Sequence, residues 1–76
     1  MNDPNNTIES KILGSSTIDY IVYFKEEKEL YITFKAGTTY KYYDVPIEVI
    51  KGFMESRSAG TYFSVKIRNI YKYEKQ

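Results

Sequence analysis

The sequence predicts an α+β fold, with a three-stranded antiparallel β-meander followed by two short α-helices packed on the sheet. Three observations lead there. Residues 18–43 fall into short runs rich in β-branched and aromatic residues, parted by turn formers. From Pro46 onward, apolar residues recur at helical spacing instead. The chain has 76 residues, enough for one domain only, and a domain of that size buries only about 60% of its unfolded surface.

The elements follow in order. Residues 1–11 are polar and lack the basic-then-apolar pattern of a secretion signal, so they read as a disordered leader of a cytoplasmic protein. Residues 12–73 are the domain, and 74–76 are a tail. Ile18 to Phe24, IDYIVYF, is the first strand. KEEKE, residues 25–29, is a charged turn whose glutamates serve solubility. Leu30 to Lys35 alternates, with Leu30, Ile32 and Phe34 on one face and Tyr31, Thr33 and Lys35 on the other. Ala36-Gly37 makes the hairpin, since glycine can take positive φ. Thr38 to Tyr43 is the third strand, with Tyr40 and Tyr42 turned to the core and Lys41 and Tyr43 turned away. Pro46 suits the first position of a helix over 46–56, because its missing N–H costs nothing there. Asp44 precedes that helix and helps its start. Ile47, Ile50, Phe53 and Met54 form its apolar stripe. Ser58 caps a second helix over 59–69, with Phe63, Ile67 and Ile70 as its stripe and Tyr62 beside them. YKYEKQ ends the chain as a short basic tail.

Composition narrows the chemistry. There is no cysteine and no histidine, which makes zinc, copper and haem sites improbable and excludes serine–histidine and cysteine–histidine nucleophiles. Carboxylates stand singly, with no isolated pair to divide acid and base roles. The expectation is therefore a non-enzyme without metal or cofactor. No run approaches the ~20 apolar residues of a membrane span, so no membrane partner is expected. Nine tyrosines and four phenylalanines are many for this length. Most would build the core, and a few are expected at the surface for use, because tyrosine gives stiff contact area at low entropy cost. Charge is uneven: residues 1–56 carry six basic and nine acidic side chains, whereas residues 57–76 carry five basic and one acidic. A basic end suits a phosphate-bearing partner, and it also suits solvated helix ends.

Three groups of residues could bind. Tyr31, Lys41 and Tyr43 share the sheet face away from the core and could form a platform on which bases stack. The same two rings could instead cover that face against the chain's ends or another subunit. Arg57 and the turn Ser58, Gly60, Thr61 and Tyr62 offer free N–H groups and a positive dipole end to a phosphate, or are an ordinary capped turn. Arg68 and Tyr71 lie three apart on one helical face, as a core pair or as a guanidinium and a ring set against a base.

The ordered set of motifs resembles a known family. It runs Ser15-Ser16, Leu30-x-Ile32-x-Phe34, Gly37, Tyr40-x-Tyr42-x-x-Val45-Pro46, Ser58-x-Gly60-x-Tyr62-Phe63 and Ile67-Arg68-x-x-Tyr71. This is similar to the KTSC domain, named for its occurrence at the C-terminus of some lysyl-tRNA synthetases and also found as free-standing proteins of bacteria and phages. Two positions depart from the pattern: Ala59 stands where the family often has proline, and Ser64 where it often has asparagine. The tie to a tRNA synthetase implies RNA binding by association.

The functional expectation is a non-catalytic module that binds RNA or a nucleotide through exposed tyrosines and Arg/Lys side chains, in a chain expected to form a homo-oligomer. One alternative is a phage-type homo-oligomer that sequesters a cyclic nucleotide signal such as a cyclic dinucleotide. Its site is expected between subunits, because so small a domain has little room for a pocket. The other is an adaptor whose aromatics serve only core and self-association.

Overall fold

The computed structural model describes residues 6–76. Five strands and two helices follow one another as β1 (Thr7–Lys11), β2 (Ile18–Phe24), β3 (Glu29–Phe34), β4 (Thr39–Tyr42), α1 (Ile47–Glu55), α2 (Ala59–Lys66) and β5 (Tyr73–Lys75). The strands form one antiparallel sheet in sequence order, β1-β2-β3-β4-β5. The α+β class and the central β2–β3–β4 meander are as expected, but the sheet has five strands and not three. Both added strands come from segments read as leader and tail. Thr7–Lys11 of the expected leader pairs with β2 along its whole length, and residues 1–5 lie outside the described residues. Tyr73–Lys75 pairs with β4. Neither strand buries a full apolar face: β1 has no fully buried residue and β5 is exposed throughout. Burial periodicity could not reveal them.

The turns are set by backbone chemistry. Gly37 takes φ of 98°, and its N–H donates to the Phe34 carbonyl at 2.8 Å, closing the β3–β4 hairpin. The Ser15 Oγ accepts from the N–H groups of Thr17 at 3.1 Å and Ile18 at 3.0 Å, which fixes the approach to β2. Between β4 and α1, the Val45 N–H donates to the Lys28 carbonyl at 2.9 Å. The buried Tyr23 hydroxyl donates to the Val45 carbonyl. Pro46 is the cap residue before α1, with extended ψ of 155°, and the helix starts one residue after it. Asp44 takes φ of 57° in the preceding turn and makes no cap bond to α1.

Both helices cover the same sheet face. The core comprises Ile18, Ile21, Tyr23, Leu30, Ile32 and Tyr42 from the sheet side, with Val45, Ile50, Phe53, Phe63 and Ile67 from the helical half. Alternation along β3 and β4 places these as expected. α2 ends at Lys66, three residues before the expected limit. The Arg68 N–H donates back to the Phe63 carbonyl at 2.8 Å, and Asn69 adopts φ of 67°. Asparagine accepts this left-handed turn more readily than most residues. Ile70 therefore leaves the apolar stripe and is 58% exposed.

Candidate functional site

Five aromatic rings close a circuit under α2. Phe34 meets Tyr40, Tyr40 meets Tyr73, Tyr73 meets Tyr42, Tyr42 meets Phe63, and Phe63 returns to Phe34. Ring centroids lie 5.4–5.8 Å apart around the circuit. Four of the contacts are edge-on, the geometry that ring quadrupoles favour, each worth about 0.5–1.5 kcal/mol beyond burial. The circuit is the floor of an open cleft of about 940 Å³. β5 makes one wall, because its pairing with β4 sets Tyr73 opposite Tyr42.

The rim is polar and positive. Ser16, Thr17, Ser58, Thr61 and Ser64 bring hydroxyl groups to the cleft. Lys35 and Arg68 also line it, and among the described residues no carboxylate does. The Ser58 Oγ accepts from the Thr61 N–H at 3.3 Å, as the cap that the sequence predicts. The first N–H groups of α2, at Ala59 and Gly60, have no acceptor within the helix. Gly60 lines the cleft, and a Cβ added there would meet nothing within 4 Å. Tyr42 at the floor has its hydroxyl pKa pushed up to about 12, first by burial and then by Tyr73 and Tyr40, with the Arg68 charge opposing. That opposition reflects a guanidinium near the ring circuit.

The predicted residues divide among three places. Ser58, Gly60, Thr61 and Arg68 meet at the cleft. Arg57 is exposed beside α2 and does not line the cleft. Tyr62 points the other way, donating to the Val49 carbonyl at 2.8 Å and packing on Phe53 at 5.5 Å, so it ties α2 to α1. Tyr71 packs against the core. It shares no helical face with Arg68, because α2 has ended before both.

Tyr31, Lys41 and Tyr43 do come together, on the sheet face that the helices leave open. Cross-strand partners share a face, and Tyr31 is opposite Lys41. The Lys41 ammonium sits 5.6 Å from the Tyr31 centroid and 4.8 Å from that of Tyr43. It also pairs with Glu29 at 3.2 Å. Its pKa is raised, first by the Glu29 hydrogen bond. Glu29 thus belongs to β3 and a charge pair, not to the solubility turn. A cation already lies over both rings, and a carboxylate balances it, which makes this a poor platform for anionic, stacking ligands.

Sequence reasoning missed Lys35, Tyr73 and Ser16 as neighbours of the Ser58 turn. Their proximity depends on the β4–β5 pairing and on α2 lying over the β3–β4 hairpin, neither of which leaves a local pattern. Ser64, which departs from the family pattern, lines the same cleft.

Comparison with known proteins gives two findings. The model of the KTSC domain family matches residues 14–71. Among solved structures, the chain is similar to a KTSC domain protein from Yersinia pestis, at 30% identity and a TM-score of 0.83, covering 92% of this chain and 97% of that one. No curated protein matches the chain.

Proposed function

The chain belongs to the KTSC domain family, and on that premise we propose that it is a non-catalytic module that holds a small nucleotide in the cleft under α2. One observation carries this reading. A floor of aromatic rings and a rim of hydroxyls, two cations and the Gly60 end of α2 share a single cleft that no carboxylate of the described residues lines. A base can lie on the accessible rings, Tyr40 and Tyr73, because stacking needs only a π face. The phosphate then meets Arg68, Lys35 and the first turn of α2, where N–H groups and helix dipole favour an anion. A concavity of about 940 Å³ falls in the range of small-ligand sites, roughly 300–1,000 Å³. It suits a mononucleotide or dinucleotide better than a long RNA track. One chain forms it, so a site shared between subunits is not required for this ligand.

The absence of catalysis is part of the proposal. Among the described residues no carboxylate lines the cleft, the sequence has no histidine or cysteine, and the floor tyrosine Tyr42 stays protonated far above neutrality. The chain's own groups supply no general base there near pH 7.

A thermal-shift panel tests the reading with cyclic mono- and dinucleotides, cyclic ADP-ribose isomers and a short single-stranded RNA. A ligand at 100 times its Kd stabilises by about 2.7 kcal/mol, a shift of several degrees in a domain this small. The expected result is a shift with a small nucleotide. Arg68→Ala weakens binding about tenfold or more, as loss of a hydrogen bond to a charged group implies. It leaves the unliganded melting temperature unchanged, because Arg68 is exposed. A response to RNA alone that disappears with salt moves the function to a nucleic-acid surface. Silence across the panel overturns the proposal and leaves the adaptor reading.

A further inference from the structure

The edge of the sheet far from the cleft carries a second message, independent of any ligand. β1 is the outer strand, bonded to β2 alone within the sheet. The Lys25 N–H donates to the Asn6 carbonyl, and the Ile12 N–H to the Asp19 carbonyl. Antiparallel strands alternate the direction of their backbone groups. The even-numbered residues of β1 therefore bond to β2, and the N–H and C=O groups of Thr7, Glu9 and Lys11 point outward. Nothing among the described residues pairs with that edge. Natural proteins blunt such edges with charged side chains, lysine above all, and with proline, bulges, brevity or inward charges; of these β1 carries the charges of Glu9 and Lys11. β1 has five residues in unbroken register with β2 and no proline.

We propose that this edge pairs with β1 of a second copy, antiparallel about a two-fold axis at Ser10, joining two five-stranded sheets into one. Charge selects the register. An axis at Glu9 sets Glu9 against its own copy, and an axis at Lys11 does the same with lysine, so like charges face each other directly. An axis at Ser10 sets Glu9 opposite Lys11 of the second copy, twice by symmetry. Glu9 and Lys11 are the two exposed side chains of β1, so they are free to form these pairs. The same register sets Ile8 opposite Ile12 of the second copy, and both already pack on the core. Beyond the strand's end it brings Leu13, 84% exposed, towards Thr7 of the second copy. The outward backbone groups at Glu9 and Lys11 become bonded pairs, and the contact is isologous as closed two-fold symmetry requires. β5, the other edge, offers only three residues. Pairing through β1 leaves both clefts open at the far edges of the joined sheet.

A charge-swap series with sedimentation analysis tests the register. The wild-type chain sediments as a dimer. Glu9→Lys alone and Lys11→Glu alone each put like charges opposite and shift the protein to monomer, while the double swap restores the dimer. Ser10→Cys gives an independent readout in a chain that has no cysteine. Residues opposite each other in a non-bonded antiparallel pair have Cα atoms about 4.5 Å apart, within disulfide reach. Mild oxidation therefore crosslinks the Ser10→Cys variant to a covalent dimer rapidly, and Glu9→Cys slowly. A wild-type monomer at high concentration overturns the proposal. So does a dimer that both single swaps leave intact, or a Ser10→Cys variant that stays uncrosslinked while dimeric.

Discussion

The Tyr62 hydroxyl donates to the Val49 carbonyl at 2.8 Å, and its ring lies against Gly52, where an added Cβ would collide with the hydroxyl. Glycine at position 52 is what lets α2 approach α1 this closely. Burial raises the Tyr62 pKa, with Tyr71 adding to it, so the hydroxyl remains a donor at any ordinary pH. Tyr62→Phe removes one part-buried hydrogen bond, a loss of about 1 kcal/mol. Thermal unfolding followed by circular dichroism should show a fall of about 4–8 °C per kcal/mol in a domain of this size. Nucleotide binding should be unchanged, because Tyr62 faces α1 and not the cleft. Its role was not readable from S-x-G-x-Y-F, where it stands beside true cleft residues. The grouping of Tyr31, Lys41 and Tyr43 was readable, because strand alternation sets it directly.

At the scale of elements, legibility followed burial. β2, β3 and β4 announce themselves because their inward residues, such as Ile21, Leu30, Ile32 and Tyr42, are buried while their neighbours are not. β1 and β5 sit at the sheet's edges, and their pairing is a backbone matter that side-chain pattern does not record. The end of α2 was misplaced because Ile67 and Ile70 are three apart in sequence, whereas the turn at Asn69 takes Ile70 out to solvent. β5 also has a measurable part to play. It contributes Tyr73, which touches Tyr40 and Tyr42. Deleting residues 73–76 should leave a folded protein, since none of them is in the core. The melting temperature should drop by several degrees from the two lost ring contacts. Nucleotide binding, measured by calorimetry, should be lost with the cleft wall, while the dimer through β1 should persist.

For the molecule as a whole, tyrosine makes stability depend on alkali. Tyr23, Tyr42 and Tyr62 all have raised pKa values, chiefly through burial. For Tyr42 the rise is from 10.0 to about 12. Between those values the unfolded chain has already lost its proton while the folded chain keeps it. Folding stability is therefore fully present below pH 10.0 and falls as pH rises towards about 12. The Lys41–Glu29 pair acts in the same direction, since its lysine pKa is raised as well. Urea denaturation at stepped alkaline pH should give a constant midpoint up to the lower value and a steady decline above it.

On the proposed function, the cleft under α2, and not the open sheet face, receives the nucleotide. Titrating the nucleotide with the largest thermal shift into isotope-labelled protein, with ¹H–¹⁵N correlation spectra at each step, tests it residue by residue. Progressive shifts are expected at Lys35, Gly60, Thr61, Ser64, Arg68 and Tyr73, with Tyr31, Lys41 and Tyr43 unmoved. Shifts confined to Tyr31, Lys41 and Tyr43 would contradict it and place binding on the opposite face of the sheet.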